Sequence, residues 1–334
     1  MQQQIDAFIR EFESESPVLE VQTSGSTGTP KRMFVEKQRM MRSAQRTLSA
    51  LGIQQHAVAL ICLPVQYIAG KMMVVRALVG HMRIEAIRPC ANPLLELDEN
   101  RIAPQTLLAI TPHQLSEILS NATSRRILEK LSHVIIGGGA IPECVENMAR
   151  KVPEKVQIYA TYGMTETLSH IALRRINGAD CQESFQPLEG VSVSQNSEGC
   201  LVVNDAVTTS EPLVTNDLIA LLPDGRFRII GRRDNVISSG GIKLQMEHIE
   251  QQLRTALPCE FLLTYVADKR LGQALTMLYK GAQTEEELRK ICAERLERYE
   301  VPKHFFRVPE IPTTETGKPA RKQAHLIAES LKMM

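Results

Sequence analysis

The 334-residue sequence predicts an α/β protein: a large domain on a mostly parallel sheet flanked by helices, then a small β unit, then a small α+β domain at the C-terminus. Three observations carry this. Apolar runs of strand length alternate with stretches of helical period from residue 38 to residue 159, the pattern of a parallel sheet with crossover helices. From about Gly190 the runs become short strands separated by turn residues. After Arg232 a further set of two helices and two strands stands apart.

Ile5, Phe8, Ile9 and Phe12 recur at helical spacing among polar residues, so residues 2–14 read as one amphipathic helix with a core-facing stripe. Helices are expected over 38–51, 70–79, 112–120, 125–131 and 142–151, and strands over 57–63, 81–87, 106–110, 134–136 and 156–159. Parallel strands gather ligands at their carboxyl ends. The short strands are 200–203, 218–222 and 226–230, with Pro223, Asp224 and Gly225 as a turn. The last set has helices over 246–256 and 285–298 and strands over 261–267 and 274–279. A boundary at 232–235 divides a large domain, 1–231, from a small one, 236–334.

Composition narrows the function. Lys and Arg total 39 against 38 Asp and Glu, so no global charge draws in nucleic acid or a membrane surface. Trp is absent and aromatics are 4%, which leaves no stacking platform for single strands. The seven cysteines are odd in number and form no CxxC pair, against a zinc ribbon or disulfide framework and in keeping with a reducing cytoplasm. The start, Met1-Gln-Gln-Gln, has no signal-peptide character, and no run approaches the roughly eighteen apolar residues of a membrane span.

The densest run of small hydroxylated residues and glycines is TSGSTGTPK, residues 23–31. Gly25 and Gly28 let backbone N–H groups turn inward, Thr23, Ser24, Ser26 and Thr27 add hydroxyls, and Lys31 adds a charge: the chemistry of a phosphate cradle. It is not a Walker loop, because Thr-Pro separates Gly28 from Lys31. By itself such a run is also the composition of a solvated loop. Four more stretches follow it in order: IIGGGAIP (135–142), YGMTET (162–167), Asp217 with GRRDNVISSGGIK (231–243), and PTTETGKPARK (312–322).

Together these resemble the ordered signatures of the acyl-adenylate-forming superfamily, from about Gln22 to the C-terminus. The resemblance implies ATP- and Mg2+-dependent activation of a small-molecule carboxylic acid as its adenylate, with CoA as the thiol acceptor. It also implies that the small domain is mobile. Familiar relatives carry a further subdomain before the phosphate loop, so an N-terminally shortened large domain is expected, and an exposed sheet edge there would favour a homodimer.

Adenylation crowds negative charge onto phosphate oxygens, so it needs N–H donors, cations and a hard metal ion. By resemblance, residues 23–28 and Lys31 hold the β- and γ-phosphates, and Arg32 is either a further phosphate contact or a surface charge. Tyr162 and Gly163 border the adenine, Thr165 touches the α-phosphate, and Glu166 binds the metal. Gly137, Gly138 and Gly139 let the chain pass close to adenine and acyl group. Asp217 and Arg232 take the ribose hydroxyls, Asp234 is the hinge, and Gly240 belongs to the loop of the pantetheine channel. Lys318 neutralises the adenylation transition state.

The stretch LPVQYIAGKMMVVRAL, residues 63–78, corresponds to the acyl pocket and is most similar to that of the o-succinylbenzoate-CoA ligases of menaquinone biosynthesis. Tyr67 would line the pocket. A second carboxylate on the acid would need a cation such as Lys71 or Arg76, each of which also reads as a helix-surface charge. Residues 163–170 would add small contacts around the aromatic ring. Two readings compete: a different aryl, fatty or amino acid, handed to CoA or a carrier protein, and a nucleotide-binding relative without turnover.

Overall fold

The computed structural model describes residues 1–22, 32–314 and 319–333. The phosphate loop, Thr23 to Lys31, and Lys318 lie outside the described residues. Helix α1 (Gln2–Glu13) buries Ile5, Phe8 and Phe12, the stripe read from the sequence. It is followed by strands β1 (Val18–Gln22) and β2 (Arg32–Glu36), which pair antiparallel from Val18↔Glu36 to Gln22↔Arg32. The pairing brings together the two residues that flank 23–31. Neither strand is expected from the sequence, because each is only five residues long and half of β2 faces solvent. Arg32 lies on the surface, 3.3 Å from Glu20.

Next come α2 (Lys37–Leu51), β3 (Val58–Ile61), α3 (Ile68–Val79), β4 (Arg83–Ala86) and β5 (Thr106–Ile110). Then follow α4 (Pro112–Ser120), α5 (Ala122–Leu128), β6 (His133–Ile136), α6 (Glu143–Ala149), β7 (Gln157–Gly163), β8 (His170–Arg175) and β9 (Gln186–Pro187). They build a seven-stranded sheet in the order β4-β3-β5-β6-β7-β8-β9. The first five strands are parallel, and β8 and β9 add on antiparallel.

Both faces are covered. Along β3, Ala59 and Ile61 pack with residues of α1, α2 and α3, while Val58 and Leu60 pack with residues of α4, α5 and α6. Strands buried on both faces read as continuous apolar runs, which is why the sequence shows them clearly. Helix α3 is buried along most of its length by Met72, Met73, Val74, Val75 and Ala77, and it carries Arg76 among them. Strand β7 runs past the expected end, so Tyr162 and Gly163 sit at the carboxyl end of the last parallel strand. Strands β8 and β9 are absent from the sequence reading.

Beyond them, β10 (Ser192–Gln195), β11 (Cys200–Asn204), β12 (Leu213–Leu221) and β13 (Phe227–Arg232) form a sheet in that order. The described residues thus give a four-stranded sheet as the small β unit expected from the sequence. The chain divides into two compact units: Met1–Ser194 with Val202–Leu213 and Leu221–Arg228, and Gln195–Leu201 with Val214–Ala220 and Ile229–Met334. The four strands are shared between them.

The second unit continues with β14 (Val236–Ser239), β15 (Ile242–Gln245), α7 (Met246–Leu253), β16 (Glu260–Asp268), β17 (Gly272–Lys280), α8 (Glu285–Arg295), β18 (His304–Arg307) and α9 (Arg321–Lys332). Its sheet has the order β15-β14-β17-β16, with β18 parallel to β17. Leu263, Leu275 and Met277 face α7 and α8, whereas Leu262, Val266 and Leu278 face α9. The SSGGI stretch is a tight hairpin in which Ser239 pairs with Ile242 and Gly240 and Gly241 take φ +59° and +85°. Both central residues of such a turn need positive φ, which two glycines supply. No described helix is long and apolar enough to cross a membrane.

Candidate active site

The carboxyl ends of β6 and β7 present two of the motifs side by side. The Thr161 hydroxyl donates to the Ile136 carbonyl at 3.0 Å, and a Cβ on Gly137 would lie 2.7 Å from that hydroxyl oxygen. A Cβ on Gly163 would lie 2.3 Å from the Ser169 carbonyl oxygen and 2.5 Å from the His170 Cα. Glycine is therefore required at Gly163, where the obstacle is backbone that cannot step aside, whereas at Gly137 a Cβ would have to displace the Thr161 hydroxyl from its bond to Ile136. The Tyr162 ring stands edge-on to Phe227, with centroids 5.4 Å apart, and beside Phe185. Gly138 takes φ +91°, while the position of Gly139 is open to a side chain.

The turn after Gly163 is tied by Thr167, whose hydroxyl accepts from the Met164 N–H at 3.0 Å and donates to the Ser169 carbonyl at 2.8 Å. Leu168 is buried with φ +62°, a strained angle for a leucine that only a well-determined surrounding can hold. Thr165 is buried at the start of this turn and Glu166 is exposed on it. A single exposed carboxylate suits Mg2+, which keeps waters and takes phosphate oxygens and does not require an all-protein cage. Among the described residues no cluster of three His, Cys, Asp or Glu is placed to hold a metal ion.

Arg76 reaches the same turn from α3. It is 3% exposed, its Nη2 donates to Ser169 Oγ, and its Nε has no hydrogen-bond partner. Among the described residues no carboxylate pairs with it. Burial pulls its guanidinium down to about 10. Lys71, one turn earlier on α3, is occupied elsewhere: its ammonium donates to the Glu20 carbonyl at 2.8 Å and lies 5.3 Å from the Phe8 ring centroid, tying α3 to β1 and α1. Tyr67 caps the start of α3, half-buried. Gly70 follows, where a Cβ would lie 2.3 Å from the Pro64 carbonyl oxygen, so the loop after β3 packs onto the helix backbone.

Beside Arg76, His170 is 6% exposed, with Nδ1 3.5 Å from Ser169 Oγ and Nε2 3.1 Å from Thr47 Oγ1. The Thr47 hydroxyl lies 3.1 Å from the Ser43 carbonyl. Burial first, then the charges of Arg76 and Arg46, push His170 well below its ordinary value, so it is neutral. Arg46 itself is bidentate to Asp205, at 2.9 and 2.8 Å. Ser169, His170 and Thr47 in these roles are absent from the sequence reading. They come from α2 and from the entry to β8, far from Arg76 in sequence, and no spacing rule connects them.

In the second unit, Arg232 lies 3.1 Å from Asp217 and 3.1 Å from Asp234. Asn216 donates to Asp234 at 3.2 Å. Three residues singled out separately thus form one linked group. Beside Gly231, the Gln245 side chain donates from Nε2 to the Arg232 carbonyl at 3.1 Å and occupies the space that a Cβ there would take. Gly240 borders a cavity of about 290 Å3, which Arg298 and Lys303 also line. On either side of residues 315–318, Thr313 bridges Pro319 and Arg321 is bidentate to Glu250, at 3.0 and 2.7 Å.

The AMP-binding enzyme model matches residues 6–206, and the AMP-binding enzyme C-terminal domain model matches residues 255–318. The 2-succinylbenzoate–CoA ligase of Bacillus mycoides (strain KBAB4) is 27% identical over 358 residues, covering 98% of this chain and 73% of the relative. An acyl-CoA synthetase (AMP-forming)/AMP-acid ligase II-like protein from Dyadobacter fermentans DSM 18053 is 33% identical with a TM-score of 0.64, covering 97% of this chain and 93% of that one. O-succinylbenzoate coenzyme A synthetase from Bacillus subtilis, solved with ATP and magnesium ion, shares the fold at a TM-score of 0.76 and 23% identity, covering 91% and 69%. With both family models matched, the first over more than half of its length, the chain belongs to the AMP-binding enzyme family.

Proposed function

We propose that the chain is an ATP-dependent, AMP-forming acyl-CoA ligase that converts 2-succinylbenzoate to its adenylate and then to the CoA thioester, a step of menaquinone biosynthesis. The observation that carries the substrate is Arg76. A buried guanidinium with one neutral partner and no carboxylate among the described residues is costly to keep. A substrate that brings a second, unreacting carboxylate supplies the missing charge.

In this reading the reacting carboxylate attacks the α-phosphate beside Thr165 and pyrophosphate leaves. Residues 23–28 and Lys31 donate to the departing phosphates, Tyr162, Gly138 and Gly139 border the adenine, and Gly137 and Tyr67 border the acyl group. Mg2+, held by Glu166 together with phosphate oxygens, would neutralise charge there. Asp217 and Arg232 take the ribose, and Lys318 meets the charge that develops in the transition state. The boundary at 232–235, with Asp234 as hinge, would let the second unit exchange Lys318 for the Gly240 turn, and the cations beside Gly240 support an anionic acceptor such as CoA.

The test is pyrophosphate release with ATP and Mg2+ across a panel of acids, with and without CoA. Release that requires 2-succinylbenzoate, with thioester forming only when CoA is present, is the expected result. Release with another acid moves the substrate, and silence across the panel removes the activity. The reading extends to a cytoplasmic enzyme that dimerises through the sheet edge at β4; a single 37.3 kDa species in mass photometry would remove the dimer.

A further inference from the structure

Two arginines lie near His170, Arg76 buried and Arg46 with its side chain 8% exposed, and the protein treats them oppositely. Arg46 is cancelled by the bidentate Asp205 carboxylate, which the Thr208 hydroxyl also supports at 2.6 Å. Arg76 is held only by a hydroxyl. The hydrogen-bond directions around that hydroxyl follow from counting protons. With the Thr47 hydroxyl proton given to the Ser43 carbonyl at 3.1 Å, the tautomer of His170 that completes the chain has its proton on Nε2, towards Thr47, and Nδ1 as the acceptor facing Ser169 Oγ. Ser169 turns its proton towards Nδ1 and its lone pairs towards the guanidinium.

We propose that His170, as a neutral imidazole, is a positioning residue for recognition of the acid's second carboxylate. With Ser169 and Thr47 it aims the Arg76 guanidinium without cancelling its charge. This rests on the reading that Arg76 meets that carboxylate. A carboxylate at position 169 or 170 would also hold Arg76, but it would neutralise the site before substrate arrives. An apolar residue at 170 would leave the serine hydroxyl free to rotate its proton towards the guanidinium. The neutral Thr-His-Ser chain orients the arginine and keeps it available.

The experiment compares KM and kcat for 2-succinylbenzoate and for 3-benzoylpropionate, which lacks the ring carboxylate, in the wild type, His170→Phe, His170→Gln, Thr47→Val and Arg76→Met. For His170→Phe the ratio of KM for 2-succinylbenzoate to KM for 3-benzoylpropionate should rise about tenfold, the size of one lost hydrogen bond in a charged network. His170→Gln, which restores an acceptor and a donor, should recover most of that rise, and Thr47→Val should show a smaller rise of the same kind. A merely structural role would raise both KM values together or lower kcat for both acids. An unmoved ratio in His170→Phe and Thr47→Val, with Arg76→Met still discriminating the acids, overturns the role of His170 alone. An unmoved ratio in Arg76→Met overturns the substrate reading beneath it. Should His170→Phe fail to fold, Thr47→Val decides, since it keeps the buried volume close to the original and removes the hydroxyl that faces Nε2.

Discussion

Replacing Arg76 with methionine should make the protein more stable and the enzyme worse, and the two effects can be sized separately. Burial lowers the guanidinium to about 10, and at about 1.4 kcal/mol per pH unit this depression represents about 3 kcal/mol against folding. The folded state disfavours the cation, so the full cost is present at pH 7 and is relieved only as pH rises through about 10. The Arg76→Met change would remove that cost and lose the bond from the charged guanidinium to Ser169, about 1.5 kcal/mol. The net gain is about 1–2 kcal/mol, a rise of roughly 2–8 °C in the midpoint of a unit this size. In the same variant kcat/KM for 2-succinylbenzoate should fall about 100- to 1,000-fold, the range for truncating one partner of a buried charge pair. Differential scanning fluorimetry and pyrophosphate release read the two effects. A midpoint several degrees lower, or an equal loss for 2-succinylbenzoate and 3-benzoylpropionate, would refute the argument that Arg76 is an uncompensated charge kept for the acid.

Gly163→Ala should cost about 1–3 kcal/mol and raise KM for the acid, because its Cβ must push back the Ser169 and His170 backbone; chemical denaturation and KM check both. Asp205→Asn should cost about 3–5 kcal/mol at pH 7 by leaving Arg46 buried without its partner. Burial alone would raise the Asp205 carboxyl, but Arg46 and Thr208 outweigh it and hold the carboxyl below its ordinary range. Its contribution is therefore complete above that range and is lost as pH falls through the depressed value, so the gap to wild type should narrow in strong acid. Lys318→Ala should slow adenylation by about 100- to 1,000-fold while thioester formation from supplied acyl-adenylate changes little; the two half-reactions assayed apart would show equal losses if the lysine serves only structure.

The alternation of strand and helix from β3 to β7 is legible because those strands are buried on both faces, and a four- or five-residue apolar run between polar stretches matches the length and period of such a strand. The glycines at 137 and 163 are legible as motif, but the reason for them is steric and appears only when Thr161 and Ser169 are in place. Strands β1, β2, β8 and β9 escape a sequence reading because each is short or mixed in polarity, and its hydrogen-bond partner is chosen by the sheet.

The sequence by itself determined the family and the α/β class, since ordered motifs and hydrophobic period are local properties of the chain. It left Lys71 and Arg76 as equal candidates for the same charge, because both are cations on one predicted helix. Only the tertiary structure separated them. Lys71 is occupied by the Glu20 carbonyl of a strand the sequence did not reveal, while Arg76 points at Ser169 and is left uncancelled by a histidine and a threonine that lie 123 residues apart in the sequence. Burial and pairing are properties of neighbours in space, and the energy of a charge is set by those neighbours.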